Sequence, residues 1–91
     1  MLQTIAITVT GLVQGVFYRQ STREKATALG IKGKVMNLPD GGVKIIATGE
    51  PEKLAELIEW CRQGPPKAKV TSVTQEELPL QEFDSFRVQR Y

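Results

Sequence analysis

Ile31-Lys32-Gly33-Lys34-Val35-Met36-Asn37-Leu38-Pro39-Asp40-Gly41-Gly42-Val43-Lys44-Ile45-Ile46-Ala47 lies near the middle of the chain, and its reading decides the fold. In the first part Ile31, Gly33 and Val35 alternate with Lys32, Lys34 and Met36, and in the last part Val43, Ile45 and Ala47 hold every second place. Period-two alternation is strand patterning, because successive side chains of a strand point to opposite faces. Between the runs, Leu38-Pro39-Asp40-Gly41-Gly42 has turn chemistry: proline presets φ and the glycines admit positive φ. The stretch is therefore a β-hairpin, and what flanks it determines its sheet.

A helix is expected on each side. Thr22, Ala26 and Leu29 keep helical spacing, and Gly30 supplies a C-terminal stop. The start of this first helix has two readings. Ser21 and Glu24 have capping-box spacing, whereas an anion-binding first turn would begin nearer Tyr18 and Arg19. After the hairpin, Pro51 suits the first position of a second helix. Leu54, Leu57, Ile58 and Cys61 follow at i, i+3, i+4, i+7, until Gly64-Pro65-Pro66 ends it.

Strands lie outside the helices. Ile5, Ile7 and Val9 alternate with Thr4, Ala6, Thr8 and Thr10, and this strand should end at Gly11. Residues 70–74 are rich in β-branched side chains, residues 76–84 read as a polar connection containing Pro79, and residues 86–91 form a short final strand. The order is βαββαβ plus one terminal strand. It predicts an α+β, ferredoxin-like sandwich whose antiparallel sheet carries both helices on one face.

Ninety-one residues suit one small domain, so residues 1–91 are expected to form a single unit. With 41% hydrophobic and 24% charged residues the composition is that of an ordinary globular chain. A net charge of +2 favours anionic ligands but is too small to specify nucleic acid. The lone Cys61 has no partner for an intramolecular disulfide and falls on the apolar face of the second helix, as expected of a core residue in a reducing compartment. There is no histidine, and the acidic residues lack metal-ligand spacing, so neither a metal nor a cofactor is expected. The segment Met1-Leu2-Gln3-Thr4-Ile5-Ala6-Ile7 has no basic region and no continuous apolar run. A cytoplasmic monomer is expected, without membrane or nucleic-acid partners.

The chemistry concentrates in Gly11-Leu12-Val13-Gln14-Gly15-Val16-Phe17-Tyr18-Arg19. Glycines let a backbone approach a ligand closely, consecutive N–H groups in such a turn can converge on an anion, and a helix N-terminus adds partial positive charge. Arg19 could hold two phosphate oxygens through its planar fork. No Gly-Lys-Ser/Thr follows, so a nucleotide triphosphate is disfavoured. Taken alone, the stretch serves equally well as a tight connection between strand and helix. Asn37 has two readings as well: it could project toward this loop from a strand end, or simply help make the Leu-Pro-Asp-Gly turn.

The nine residues resemble the acylphosphatase signature glycine-x-valine-glutamine-glycine-valine-x-aromatic-arginine. Gly33-x-Val35-x-Asn37, followed by Gly41-x-Val43 and Gly49, resembles the same family's second signature at matching spacing. With the βαββαβ order and the ending Phe86-x-Val88, the resemblance spans essentially the whole chain. Tyr18 stands where phenylalanine is usual, and Lys34 where an aromatic is common. The resemblance implies metal-independent hydrolysis of acyl phosphates to carboxylate and inorganic phosphate. Carried over by position, the backbone of Gln14, Gly15, Val16, Phe17 and Tyr18 would cradle the phosphoryl group, Arg19 would bind it, and Asn37 would orient the attacking water.

Two other functions fit the same element order. A non-catalytic module could bind a metabolite anion without turnover. Single-stranded RNA binding needs stacking aromatics on the central strands, where this chain has Ile5, Ile7, Val9, Val43 and Ile45.

Overall fold

A computed structural model describes residues 1–90. The elements are β1 (Gln3–Leu12), α1 (Tyr18–Ala28), β2 (Lys32–Asn37), β3 (Val43–Gly49), α2 (Pro51–Cys61), β4 (Lys69–Leu78) and β5 (Phe86–Val88). The five strands form one sheet in the order β4-β1-β3-β2-β5. The expected ferredoxin-like arrangement is present, with both helices packed on the sheet. Ile5, Ile7, Val9, Val35, Val43, Ile45 and Ala47 form a common core with Ala26 of α1 and with Leu54, Leu57, Ile58 and Cys61 of α2.

The sheet is mixed, which corrects the expectation of a wholly antiparallel one. β1 pairs antiparallel with β3 and β4, and β2 with β3, but β5 runs parallel to β2. Chain length explains the direction. Residues 79–85 must cross from one edge strand to the other, about 19 Å at the usual strand spacing, which takes up most of the roughly 23–25 Å reach of so short a segment and leaves too little to climb the sheet as well. The connection therefore stays at the end of the sheet where β4 finishes, and β5 must start upward from that end. Gln81 anchors the crossing. Its N–H donates to Thr4 Oγ1 at 2.9 Å and its carbonyl accepts from Thr48 Oγ1 at 2.8 Å.

Two strand boundaries also move. β4 continues through Gln75, Glu76 and Glu77 because it pairs with β1 along almost its full length, from Leu12↔Lys69 to Thr4↔Leu78. On an exposed edge the backbone ladder extends a strand without any alternating apolar pattern, and charged side chains suit that position. β5 is shorter than expected and ends at Val88, although the Gln89 N–H still donates to Val35 O at 2.8 Å. Tyr91 lies outside the described residues.

α1 begins at Tyr18, not Ser21. The Ser21 N–H donates to Phe17 O at 3.0 Å, which places Ser21 inside the first turn rather than at a cap. At the other end Gly30 is left-handed (φ 73°), and Ile31 N–H reaches back to Ala26 O at 2.9 Å, closing the helix as the glycine stop implied.

The extra hydroxyl of Tyr18 joins the two helices. The ring is buried, stands 5.6 Å from Trp60 at 48°, and donates its hydroxyl to the Cys61 carbonyl at 2.7 Å. Burial keeps this phenol protonated well above its usual range. It also pushes the Cys61 thiol up to about 12, so Cys61 is a core side chain and a poor nucleophile near neutrality. Tyr18→Phe would leave a buried carbonyl at the end of α2 without this donor. A loss of about 1–2 kcal/mol in unfolding free energy is expected from urea titration, and an unchanged midpoint would contradict the bond's contribution.

Candidate active site

The loop between β1 and α1 is shaped at three backbone positions. β4 is bulged against β1, its Thr71 standing as the extra residue opposite the step from Thr10 to Gly11, and Gly11 has φ 124°. A Cβ there would collide with the Lys69 carbonyl, so the bulge requires glycine. Farther along, Gly15 (φ 74°) and Phe17 (φ 64°) are both left-handed, on either side of Val16. Such reversals let consecutive N–H groups face one concavity.

The N-terminus of α1 closes this concavity. The first intrahelical bond is made by Ser21, so the N–H groups of Tyr18, Arg19 and Gln20 have no carbonyl partner within the helix. Phe17 provides no side-chain cap and the first turn has no acidic residue, which leaves the positive end of the helix dipole uncompensated.

A cleft of about 250 Å³ opens at this helix end. Gln14, Gly15, Phe17, Tyr18, Arg19 and Asn37 all line it. Of the residues expected at the site, Val16 alone is absent from that lining; its half-buried side chain packs against the core. Tyr18 also turns its ring inward, so its contribution to the cleft is that of backbone at a helix start.

Asn37 comes from the end of β2, paired with Val43, and is half-buried. The following turn is held by Leu38 N–H to Gly42 O at 2.8 Å and by Gly42 N–H to Asp40 Oδ1 at 2.9 Å. Asp40 thus supplies turn chemistry, while Asn37 stands at the cleft. Lys34, three positions earlier in the strand, projects to the opposite face of the sheet from Asn37. Its departure from the usual aromatic therefore falls outside the cleft.

The Gln14 side chain ties the two parts together in a way the sequence did not suggest. Its amide donates to Leu38 O and to Gly42 O, both at 2.9 Å, and so fastens the loop to the hairpin that presents Asn37. Arg19 is steadied from the other side, where its Nη1 donates to Gln89 O at 3.2 Å. A carbonyl orients the guanidinium without neutralising it. The ion pairs of the described residues, Met1 with Glu50 and Arg62 with Glu59, lie elsewhere.

Val13, Gln20, Val88 and Arg90 complete the cleft wall. No periodicity marks Gln20 or Val88 as site residues; for Arg90 the sequence leaves two readings open, stabilising the final strand or influencing the field of the site. With Arg19 and Arg90 present and no carboxylate among the described lining residues, the cleft is electropositive. A larger groove of about 650 Å³ shares Gln20, Val88 and Arg90 but contains neither Arg19 nor Asn37. The smaller cleft is the one where a cationic fork, a helix N-terminus and a neutral amide meet. That combination can hold a tetrahedral anion and a water beside it.

The acylphosphatase family model matches residues 5–88. An acylphosphatase of Marinobacter nauticus is 56% identical over 80 residues, 87% of each chain. Among solved structures, an acylphosphatase from Coxiella burnetii superposes with TM-score 0.94 at 43% identity, covering 97% of this chain and 93% of the other. The acylphosphatase from Bacillus subtilis gives TM-score 0.93 at 33% identity, covering 99% and 100%.

Proposed function

The chain belongs to the acylphosphatase family, and from that premise we propose that its residues 1–91 act as one domain that hydrolyses acyl phosphates to a carboxylate and inorganic phosphate without a metal ion. The observation that carries the site assignment is the meeting of Arg19 and Asn37, from different elements, in one cleft at the N-terminus of α1.

In this reading the backbone of residues 14–18 and the Arg19 guanidinium hold the phosphoryl oxygens. Asn37 orients a water toward phosphorus. The water oxygen bonds to phosphorus as the bond from phosphorus to the acyl oxygen breaks, and that electron pair leaves with the carboxylate. A carboxylate with a pKa of about 4 departs without a general acid. Phosphoryl transfer through a loose transition state leaves the protein mainly positioning and charge stabilisation to provide. Asn37 is neutral, so it does not repel the phosphate, and its amide is not a base. The water's proton passes to a phosphate oxygen of the substrate.

Metal independence rests on the donor set. Two arginines and amides suit an anion, whereas a hard divalent cation needs carboxylate oxygens, and none lines the cleft among the described residues. A cytoplasmic location is supported by Cys61, a buried free thiol suited to a reducing compartment. The reading also takes the protein as a monomer acting on small molecules and not on nucleic acid. The sheet face away from the helices presents Ala6, Thr8, Lys44 and Ile46 on β1 and β3, with no aromatic for base stacking. The decisive test is benzoyl phosphate hydrolysis with and without a chelator. Turnover unaffected by the chelator is expected. Phosphate binding without turnover would favour the non-catalytic anion-binding module, and turnover abolished by the chelator would overturn metal independence.

A further inference from the structure

Phe17 is 77% exposed although it lines the cleft with Arg19 and Asn37. Its backbone is left-handed (φ 64°), a conformation that strains a bulky side chain and that glycine or asparagine adopts more readily. Local conformation therefore argues against phenylalanine here. Packing does not argue for it either, because the ring lies outside the hydrophobic core and the partly buried residues against it. The cradle needs the backbone turn at this position, and the phenyl group contributes nothing evident to that turn. What the ring does possess is a free apolar face beside the anion-binding end of α1.

We infer that the Phe17 ring is a contact surface for the acyl group of the substrate and selects apolar, flat acyl groups over small ones. The inference rests on the acyl phosphate reading given above. With the phosphoryl group over the helix N-terminus and held by Arg19, the acyl group extends from phosphorus on the side away from the attacking water, because attacking and leaving oxygens lie roughly in line. Among the described residues that line the cleft, Phe17 is the exposed large apolar side chain available to an acyl group. Offset or edge-on contact between aromatic rings would strengthen binding of an aryl acyl group, and an acetyl group offers too little surface to gain from it.

The test compares kcat/KM for benzoyl phosphate with kcat/KM for acetyl phosphate in the wild-type protein, Phe17→Asn and Phe17→Gly. Both replacements tolerate the left-handed backbone, so the cradle can keep its turn. Each variant's benzoyl-to-acetyl ratio is divided by the wild-type ratio, which cancels the intrinsic reactivity of the two compounds and any damage to phosphoryl binding that slows both alike. A roughly three- to tenfold fall in the ratio is expected in both variants, the size of one aromatic contact. An unchanged ratio, with turnover retained, would overturn the role of Phe17 alone. Absence of wild-type turnover of either compound would instead overturn the acyl phosphate reading on which it rests.

Discussion

Replacing Arg19 by alanine is expected to lower kcat/KM toward benzoyl phosphate by about a hundredfold or more, equivalent to roughly 3 kcal/mol of transition-state stabilisation. The magnitude follows from where the guanidinium stands. It sits at the uncapped start of α1, in a cleft without a lining carboxylate, steadied by the Gln89 carbonyl. Its charge is oriented before substrate arrives, so little reorganisation is needed as negative charge spreads over the phosphoryl oxygens. The helix N-terminus remains in the variant and retains part of the anion affinity, but a helix end worth about half a charge does not replace a bidentate cation. Lysine in the same place should recover only a fraction, since its ammonium cannot present two parallel donors. Steady-state kinetics would check both, and an Arg19→Ala enzyme within a few-fold of wild type would remove the guanidinium from the mechanism.

Asn37→Ala is the second large effect: kcat is expected to fall by about a hundredfold, the scale on which misplacing a reacting group slows a reaction. Asn37 is fixed twice over. It ends β2 opposite Val43, and the hairpin beyond it is bound to the cradle loop by both hydrogen bonds from Gln14. The strand end that carries the amide is therefore anchored to the loop that precedes Arg19. In the proposed mechanism its removal leaves the loop of residues 14–18 in place and takes away the means of placing water, so kcat should carry the loss with KM little changed. A loss confined to KM would show that Asn37 binds substrate uniformly and does not position the nucleophile.

The hairpin, both helices and their order are legible in the sequence because each is signalled locally. Pro39 and Gly41 make the turn, and Pro51 followed by Leu54, Leu57, Ile58 and Cys61 makes α2. What was not legible depends on partners distant in sequence. The β4 residues Gln75 to Glu77 look like connection until β1 is placed alongside them. The direction of β5 follows from the short crossing of residues 79–85, a constraint of reach and not of side-chain pattern. The start of α1 went to Tyr18 because the left-handed Phe17 backbone turns the chain into the helix there, and Ser21 with Glu24 had offered a capping box that the fold does not use. At the site, Arg19 and Asn37 could be proposed from motif position. The Gln14 bonds to the hairpin and the Gln89 carbonyl behind Arg19 could not, since both join segments 24 or more residues apart.

If Arg19 binds the anion and Asn37 places the water, affinity for inorganic phosphate tests that division of labour most directly. Phosphate titrations of wild-type, Arg19→Ala and Asn37→Ala proteins, followed by calorimetry or by inhibition of turnover, should show a large loss in Arg19→Ala. Asn37→Ala should bind phosphate with nearly wild-type affinity. An equal loss in the two variants would contradict the separation of anion binding from water placement.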